Sequence, residues 1–252
     1  MQAFNVLCHY RGKVICPASW RVNDKGVPFH RLYYMLGGSV VYTQYGKSTE
    51  LQKDTLYLFP QMQQFTITHN PERPFHCQFF HLEFNPPVEN RFFSFRIEPG
   101  SAAYFLLQAL AGIPPDRYDK NDIVLKIIHS LLMEINAEAE TPFILENKLS
   151  NVFNYIQANF CKKIQISVLA EYAGFDMNYF IRLFKKMFQV TPGEYLTKLK
   201  MAKAKELLSS GNTVYAVADQ VGFDDAKSFS RSFKKSTGFA PVHFKKSQFL
   251  QP

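Results

Sequence analysis

No stretch of the chain approaches the ~18 consecutive apolar residues of a membrane span. The N-terminus carries no basic run leading into an apolar core. Neither a bilayer segment nor a secretory leader is expected, and a cytoplasmic location is the expectation. Cysteine is scarce: Cys8, Cys16, Cys77 and Cys161 stand apart, with no metal-type pairing. Reduced thiols are expected rather than a disulfide framework. Phosphate-cradling glycine loops are absent, and no Ser-His-Asp or Cys-His order compels a catalytic triad. His30, His69, His76 and His81 lack the His-x-His and following Glu that would bring three metal ligands together. No metal, cofactor or enzymatic activity is expected.

Acidic charge is short in one part only. Residues 1–146 hold 13 Lys+Arg and 14 Asp+Glu, net −1, whereas residues 147–252 hold 16 and 7, net +9. An excess placed so unevenly points to an anionic partner for the C-terminal part, nucleic acid or an acidic membrane surface. With 252 residues and 46% hydrophobic content, the chain can bury two cores.

One stretch occurs twice. Gly174-Phe175-Asp176 is followed by Phe180-Ile181-Arg182-Leu183-Phe184-Lys185-Lys186, and Gly222-Phe223-Asp224 by Phe229-Ser230-Arg231-Ser232-Phe233-Lys234-Lys235. The offset is 48 residues from Gly174 to Gly222 and 49 from Phe180 to Phe229 onward, so the second copy carries one extra residue in its turn. Phe180, Leu183, Phe184 and Met187 recur at i, i+3, i+4 and i+7, one face of a helix. Phe229 and Phe233 repeat the i, i+4 pair. Asp176, and Asp224 or Asp225, suit the N-cap. The other face offers Asn178, Ile181, Arg182 and Lys185 in the first copy, and Lys227, Ser230, Arg231 and Lys234 in the second.

Residues 1–98 read as short strands, and an antiparallel barrel or jelly roll is the economical fold. Segments 30–36 and 39–45 flank Gly37-Gly38, a two-residue hairpin signal. Strands at 55–59, 65–68, 75–84 and 92–97 follow. The pleat sends Leu32, Tyr34 and Leu36 to one face, expected to be the interior, and Arg31, Tyr33 and Met35 to the other. Trp20, Arg21, His30 and Tyr34 could line a small-molecule pocket. Residues 99–137 read as helices, at 102–111 and 121–136. The second carries a stripe of Ile123, Val124, Ile127, Ile128, Leu131 and Ile135, wide enough for the barrel and a partner subunit. Residues 138–146 form the expected linker.

Residues 147–252 read as helical throughout. Ser150 and Ser167 can cap two helices. Thr191-Pro192-Gly193-Glu194 is a capping box opening a long helix to about 209. Gly211 ends it, a short helix spans 214–221, and Pro241 starts a last one. Short helix, glycine turn and basic helix make a helix-turn-helix outline, present twice.

Several residues carry a wider resemblance. They include Leu169-Ala170, Ala173-Gly174-Phe175, the run from Tyr179 to Lys185, Pro192 with Tyr195-Leu196, and Ala204 with Leu207-Leu208. They continue through Val217-Ala218, Val221-Gly222-Phe223, the run from Phe229 to Lys235, Thr237-Gly238-Phe239 and Pro241. In this order, residues 147–246 resemble the DNA-binding domain of the AraC/XylS family of bacterial transcription regulators. The resemblance implies seven helices, with two helix-turn-helix units joined by the long helix. It also implies a cupin-like barrel with dimerisation helices at the N-terminus, so the expected class is α+β. The copies differ where Gln189 stands in place of Gly238, and a different C-cap or a small strain is expected there.

The expected mechanism follows. Arg182 and Arg231 would enter successive major grooves about 34 Å apart. Each would donate to guanine O6 and N7, hold phosphate, or pair with a neighbouring helix. Asn178, Lys227 and Ser230 would face bases or phosphate. Ile181 would meet a thymine methyl or pack beside the backbone. Lys185, Lys186, Lys234 and Lys235 would hold phosphate or sit in solvent, and Tyr179 would turn its hydroxyl to the DNA backbone or pack among the helices. The resemblance implies promoter DNA and RNA polymerase as partners, a homodimer, and usually activation under control of a small effector. Two other readings stay open: a regulator without effector, and a metal-dependent cupin enzyme fused to a DNA-binding module.

Overall fold

The computed structural model describes residues 5–85, 88, 90–114, 122–138 and 149–244. The chain divides into two compact units, Met1–Asn147 and Lys148–Pro252. All of the expected linker except Glu138 lies outside the described residues.

The first unit begins with nine strands: β1 (Asn5–Ile15), β2 (Val22–Lys25), β3 (His30–Gly37), β4 (Val40–Gln44), β5 (Lys47–Leu51), β6 (Thr55–Phe59), β7 (Gln64–His69), β8 (His76–Asn85) and β9 (Phe93–Arg96). They form two antiparallel sheets, in the orders β1-β8-β3-β6-β9 and β2-β7-β4-β5. The fold is therefore a two-sheet sandwich, and the expected closure into one barrel is not seen. Val22, Val40, Tyr42, Phe65 and Ile67 of the smaller sheet pack with Tyr33, Met35, Tyr57, Phe59 and Phe79 of the larger one. Rings of this core stack closely, with Tyr42 and Phe92 4.4 Å apart.

Two sequence expectations reverse here. Gly37-Gly38 does not turn a hairpin, because β3 and β4 belong to different sheets. At Gly38 (φ +106°) the chain crosses between sheets so close to Pro74 that a Cβ would stand 2.3 Å from its carbonyl oxygen. The tight hairpin lies at Tyr45-Gly46, both with positive φ, between β4 and β5. The faces of β3 also exchange roles. Tyr33 and Met35 point between the sheets, whereas Leu32, Tyr34 and Leu36 join a second core beneath two helices.

Those helices are α1 (Ala102–Gly112) and α2 (Asp122–Glu138). Leu107, Leu110, Val124, Ile128, Leu131 and Ile135 complete the second core, so the larger sheet is buried on both faces. Most of the α2 stripe is thus consumed inside the unit, while Ile123 is 63% exposed. Arg11, itself buried, ties β1 to the end of α1. Its guanidinium donates to the carbonyls of Leu110 (3.1 Å), Ile113 (2.9 Å) and Pro114 (2.9 Å). These are acceptors that a helix C-terminus leaves open, and the charge suits the dipole.

His30 lies fully buried in this second core, edge-on to Phe84 at 5.2 Å. Neither ring nitrogen has a hydrogen-bond partner among the described residues. Burial pushes its pKa down to about 3, and burial with the charge of Arg31 holds His81 well below its usual range. Both rings are therefore neutral in the fold, while the unfolded chain takes up protons below about pH 6.5. Stability of the first unit should be full above that pH and fall as pH drops toward 3. His30→Leu should flatten this acid loss, read from urea melts at pH 7.5 and 4.5. An unchanged difference between the two pH values would refute the assignment.

The second unit is helical: α3 (Ser150–Asn159), α4 (Ile166–Tyr172), α5 (Met177–Phe188), α6 (Pro192–Ser209), α7 (Val214–Gln220), α8 (Ala226–Thr237) and one 3-10 turn, Pro241–His243. Ser150 and Ser167 are not caps. The cap positions of α3 and α4 fall on Leu149 and Gln165, without side-chain cap bonds.

Candidate nucleic-acid interface

Helices α5 and α8 are built alike. The Asp176 carboxylate accepts the N–H groups of Asn178 (2.9 Å) and Tyr179 (3.2 Å). Asp225, rather than Asp224, accepts that of Ser228 at 2.8 Å. Each helix ends on a left-handed residue whose N–H donates back four residues, Gln189 to Lys185 and Gly238 to Lys234, both at 2.8 Å. The expected different cap at Gln189 is therefore not used. Gln189 adopts φ +59° itself, and its side-chain amide donates to the Lys186 carbonyl at 3.0 Å.

One face of each helix is core. Phe180, Phe184 and Phe188 of α5 are fully buried, as are Phe229 and Phe233 of α8. The 18-residue α6, about 27 Å long, serves both cores. At its start, beyond the capping box formed by Thr191 and Glu194, Tyr195 sets its ring against Phe153, Phe184 and Phe188. Further along, Met201 and Ala204 pack with Val217, Phe229 and Phe233. A third repeated element appears after each basic helix, a Pro-x-x-aromatic. Tyr195 meets Phe184 edge-on at 5.4 Å, and Phe244 meets Phe233 edge-on at 5.3 Å. Sequence reasoning found the prolines but missed the matching rings.

The opposite faces are open. Asn178, Arg182, Lys185 and Lys186 are exposed on α5, and Lys227, Arg231, Lys234 and Lys235 on α8. Ile181 and Ser230 are half-buried beside them. The Ser230 hydroxyl donates to the Ala226 carbonyl at 2.7 Å, leaving its lone pairs for a ligand donor. Tyr179 is half-exposed, with its ring edge-on to Phe175 at 5.0 Å. Neither Arg182 nor Arg231 forms an ion pair among the described residues. Lysines in the last turn also suit the helix dipole.

The four effector candidates do not converge. Trp20 lies in the core between the sheets, beside His69 and Phe75. Tyr34 and His30 face the helices on the far side of the larger sheet. Arg21 is exposed. A depression of about 340 Å³ opens instead on the smaller sheet, lined by Asn23, Lys25, Thr43, Tyr45, Gln64 and Thr66 among others. Among the described residues, no group of three or more His, Cys, Asp or Glu could hold a metal ion, and no helix is long and apolar enough to cross a membrane.

Comparison with known proteins places this geometry. A family model described as a helix-turn-helix domain matches residues 169–247. The raffinose operon transcriptional regulatory protein RafR of Pediococcus pentosaceus is 31% identical over 134 residues, 50% of this chain and 48% of its own length. The lactose operon transcription activator of Staphylococcus xylosus is 27% identical over 124 residues, 46% and 44% of the two chains. The chain thus spans about half the length of the curated relatives it matches. In fold, the crystal structure of apo ToxT from Vibrio cholerae covers 100% of this chain and 99% of its own, with a TM-score of 0.64 at 12% identity. A β-rich first unit joined to a helical second one is common to both. Its C-terminal helix-turn-helix domain is thus of the AraC type, similar to that of relatives named as transcriptional regulators.

Proposed function

We propose that the chain binds promoter DNA sequence-specifically and regulates transcription, reading two half-sites with α5 and α8. The matched exposed faces, each with one arginine that makes no ion pair among the described residues, set among amide or hydroxyl groups and two terminal lysines, support this reading best. Arg182 and Arg231 donate to guanine edges. Asn178, Ile181, Lys227 and Ser230 flank them toward the bases. Tyr179, Lys185, Lys186, Lys234 and Lys235 hold phosphates, which carry affinity but no sequence information. Lys235→Ala should therefore weaken binding on all sequences alike and lower the salt slope by about 1. Fluorescence anisotropy across a salt series reads this. A loss confined to one sequence would reassign the residue.

In the same reading the protein acts in the cytoplasm, usually as an activator engaging RNA polymerase. It works as a homodimer joined through the helices of the first unit, where Ile123 and Phe105 stand exposed. A small effector bound by the first unit controls it. His30 is the candidate contact with a physical argument, since a ligand donor or acceptor would satisfy its buried ring nitrogens. Relatives named for raffinose and lactose operons, and a ToxT structure with bound unsaturated fatty acid, suggest sugars and fatty acids as probes. A ligand of the folded state raises the melting temperature. DNA affinity and footprint unchanged on removal of residues 1–146, apart from lost avidity, would refute effector control.

A further inference from the structure

The two helix-turn-helix units share a turn glycine in the same conformation, Gly174 at φ +68° and Gly222 at φ +69°. Their surroundings differ. Nothing lies within 4 Å of the place a Cβ would take on Gly174. At Gly222 that place is 2.1 Å from the Cys161 carbonyl oxygen, in the loop between α3 and α4 that leads into the first helix-turn-helix. Lys200 of α6 reaches the same turn. Its ammonium donates to the Gly222 carbonyl at 2.8 Å and sits 5.5 Å from the centre of the Phe223 ring. Phe223 in turn packs edge-on against Phe229 of α8 at 5.6 Å. The one residue that the second copy has in excess lies here too. Asp225 takes the cap, which frees Asp224 to pair with Lys163 of the α3–α4 loop at 3.4 Å.

We propose that Lys200, with the Cys161 backbone and the Lys163–Asp224 pair, forms a clasp that fixes the rotational phase of α8 relative to α5. Lys200 is thereby a positioning residue that sets which half-site spacing the protein accepts. This rests on the DNA-binding reading. The long helix gives distance, but a turn held only by α6 could rock about it. Contact with the α3–α4 loop stops that rotation. The cation is suited to the work, since three N–H donors on a half-buried stem can hold a carbonyl and a ring face together. Burial lowers its pKa, as expected for an ammonium withdrawn from water.

The test uses the full chain and duplexes carrying the selected half-sites at centre-to-centre spacings from 8 to about 13 base pairs, one pair rotating a half-site by about 34°. The parent chain should prefer one spacing by about tenfold over sites two pairs away, the loss of one base contact. Lys200→Met should flatten this profile while leaving affinity for a single half-site unchanged. Lys200→Arg, which keeps the donor, should restore the optimum. Asp224→Ala, at an exposed pair outside the core, should broaden the profile slightly and guards against a folding defect in Lys200→Met. A parent-like profile in Lys200→Met overturns the clasp and leaves DNA binding intact. Failure of the parent chain to prefer any duplex overturns the DNA reading and the clasp with it.

Discussion

Gly222→Ala is expected to lower the melting temperature of the C-terminal unit by roughly 15–30 °C, and Gly174→Ala by only about 5 °C. Both substitutions place a side chain at positive φ, which costs about 1 kcal/mol. Only at Gly222 would the new Cβ meet backbone, 2.1 Å from the Cys161 oxygen and 2.8 Å from its carbon. Backbone cannot swing aside as a flexible side chain does, so overpacking adds about 1–3 kcal/mol and the shift needed to relieve it more. The loss would also break the Lys200 bond to the Gly222 carbonyl. Thermal melts followed by far-ultraviolet circular dichroism read the pair. Equal shifts for the two variants would mean that the contact at Gly222 is looser than 2.1 Å implies.

The second large effect concerns specificity. Arg182→Ala and Arg231→Ala should each weaken binding to the preferred DNA by about 10- to 100-fold, and together by the product of the two. Binding to unrelated duplex should fall far less, since the lysines proposed to hold phosphate remain. The two arginines occupy separate, matched helices and neither is tied up in an ion pair among the described residues, so their losses should add as independent contacts. An equal fall on preferred and unrelated DNA would reduce both to phosphate contacts.

What the sequence made legible follows the strength of its local signals. The repeated Phe pairs at i, i+4, the aspartate caps and the Thr191–Glu194 box specify helices through bonds within a few residues, and they stand where expected. Strands β3, β4, β6, β7, β8 and β9 were readable from period-2 runs bounded by turns. Their partners were not, because pairing joins residues such as Val14 and Cys77 that are far apart in the chain. The hairpin signal at Gly37-Gly38 failed for this reason. Gly38 answers to the approach of Pro74 rather than to a local turn. Strand β5 hid in a polar stretch, Lys47–Leu51, exposed except at Leu51. The face exchange in β3 arose because a sheet buried on both sides offers two interiors, and alternation alone cannot rank them. The outward row of α5 and α8 was legible as the complement of the Phe face. The link from Lys200 to Gly222 spans 22 residues and leaves no periodic trace.

The most direct measurement is selection of bound duplexes from a random pool by the full chain. The proposed placement of α5 and α8 on one side of the duplex, braced by a helix about 27 Å long, predicts two enriched blocks with centres about 10–10.5 base pairs apart, each containing guanine. A single enriched block, two blocks half a turn out of phase, or no enrichment at all would contradict that geometry.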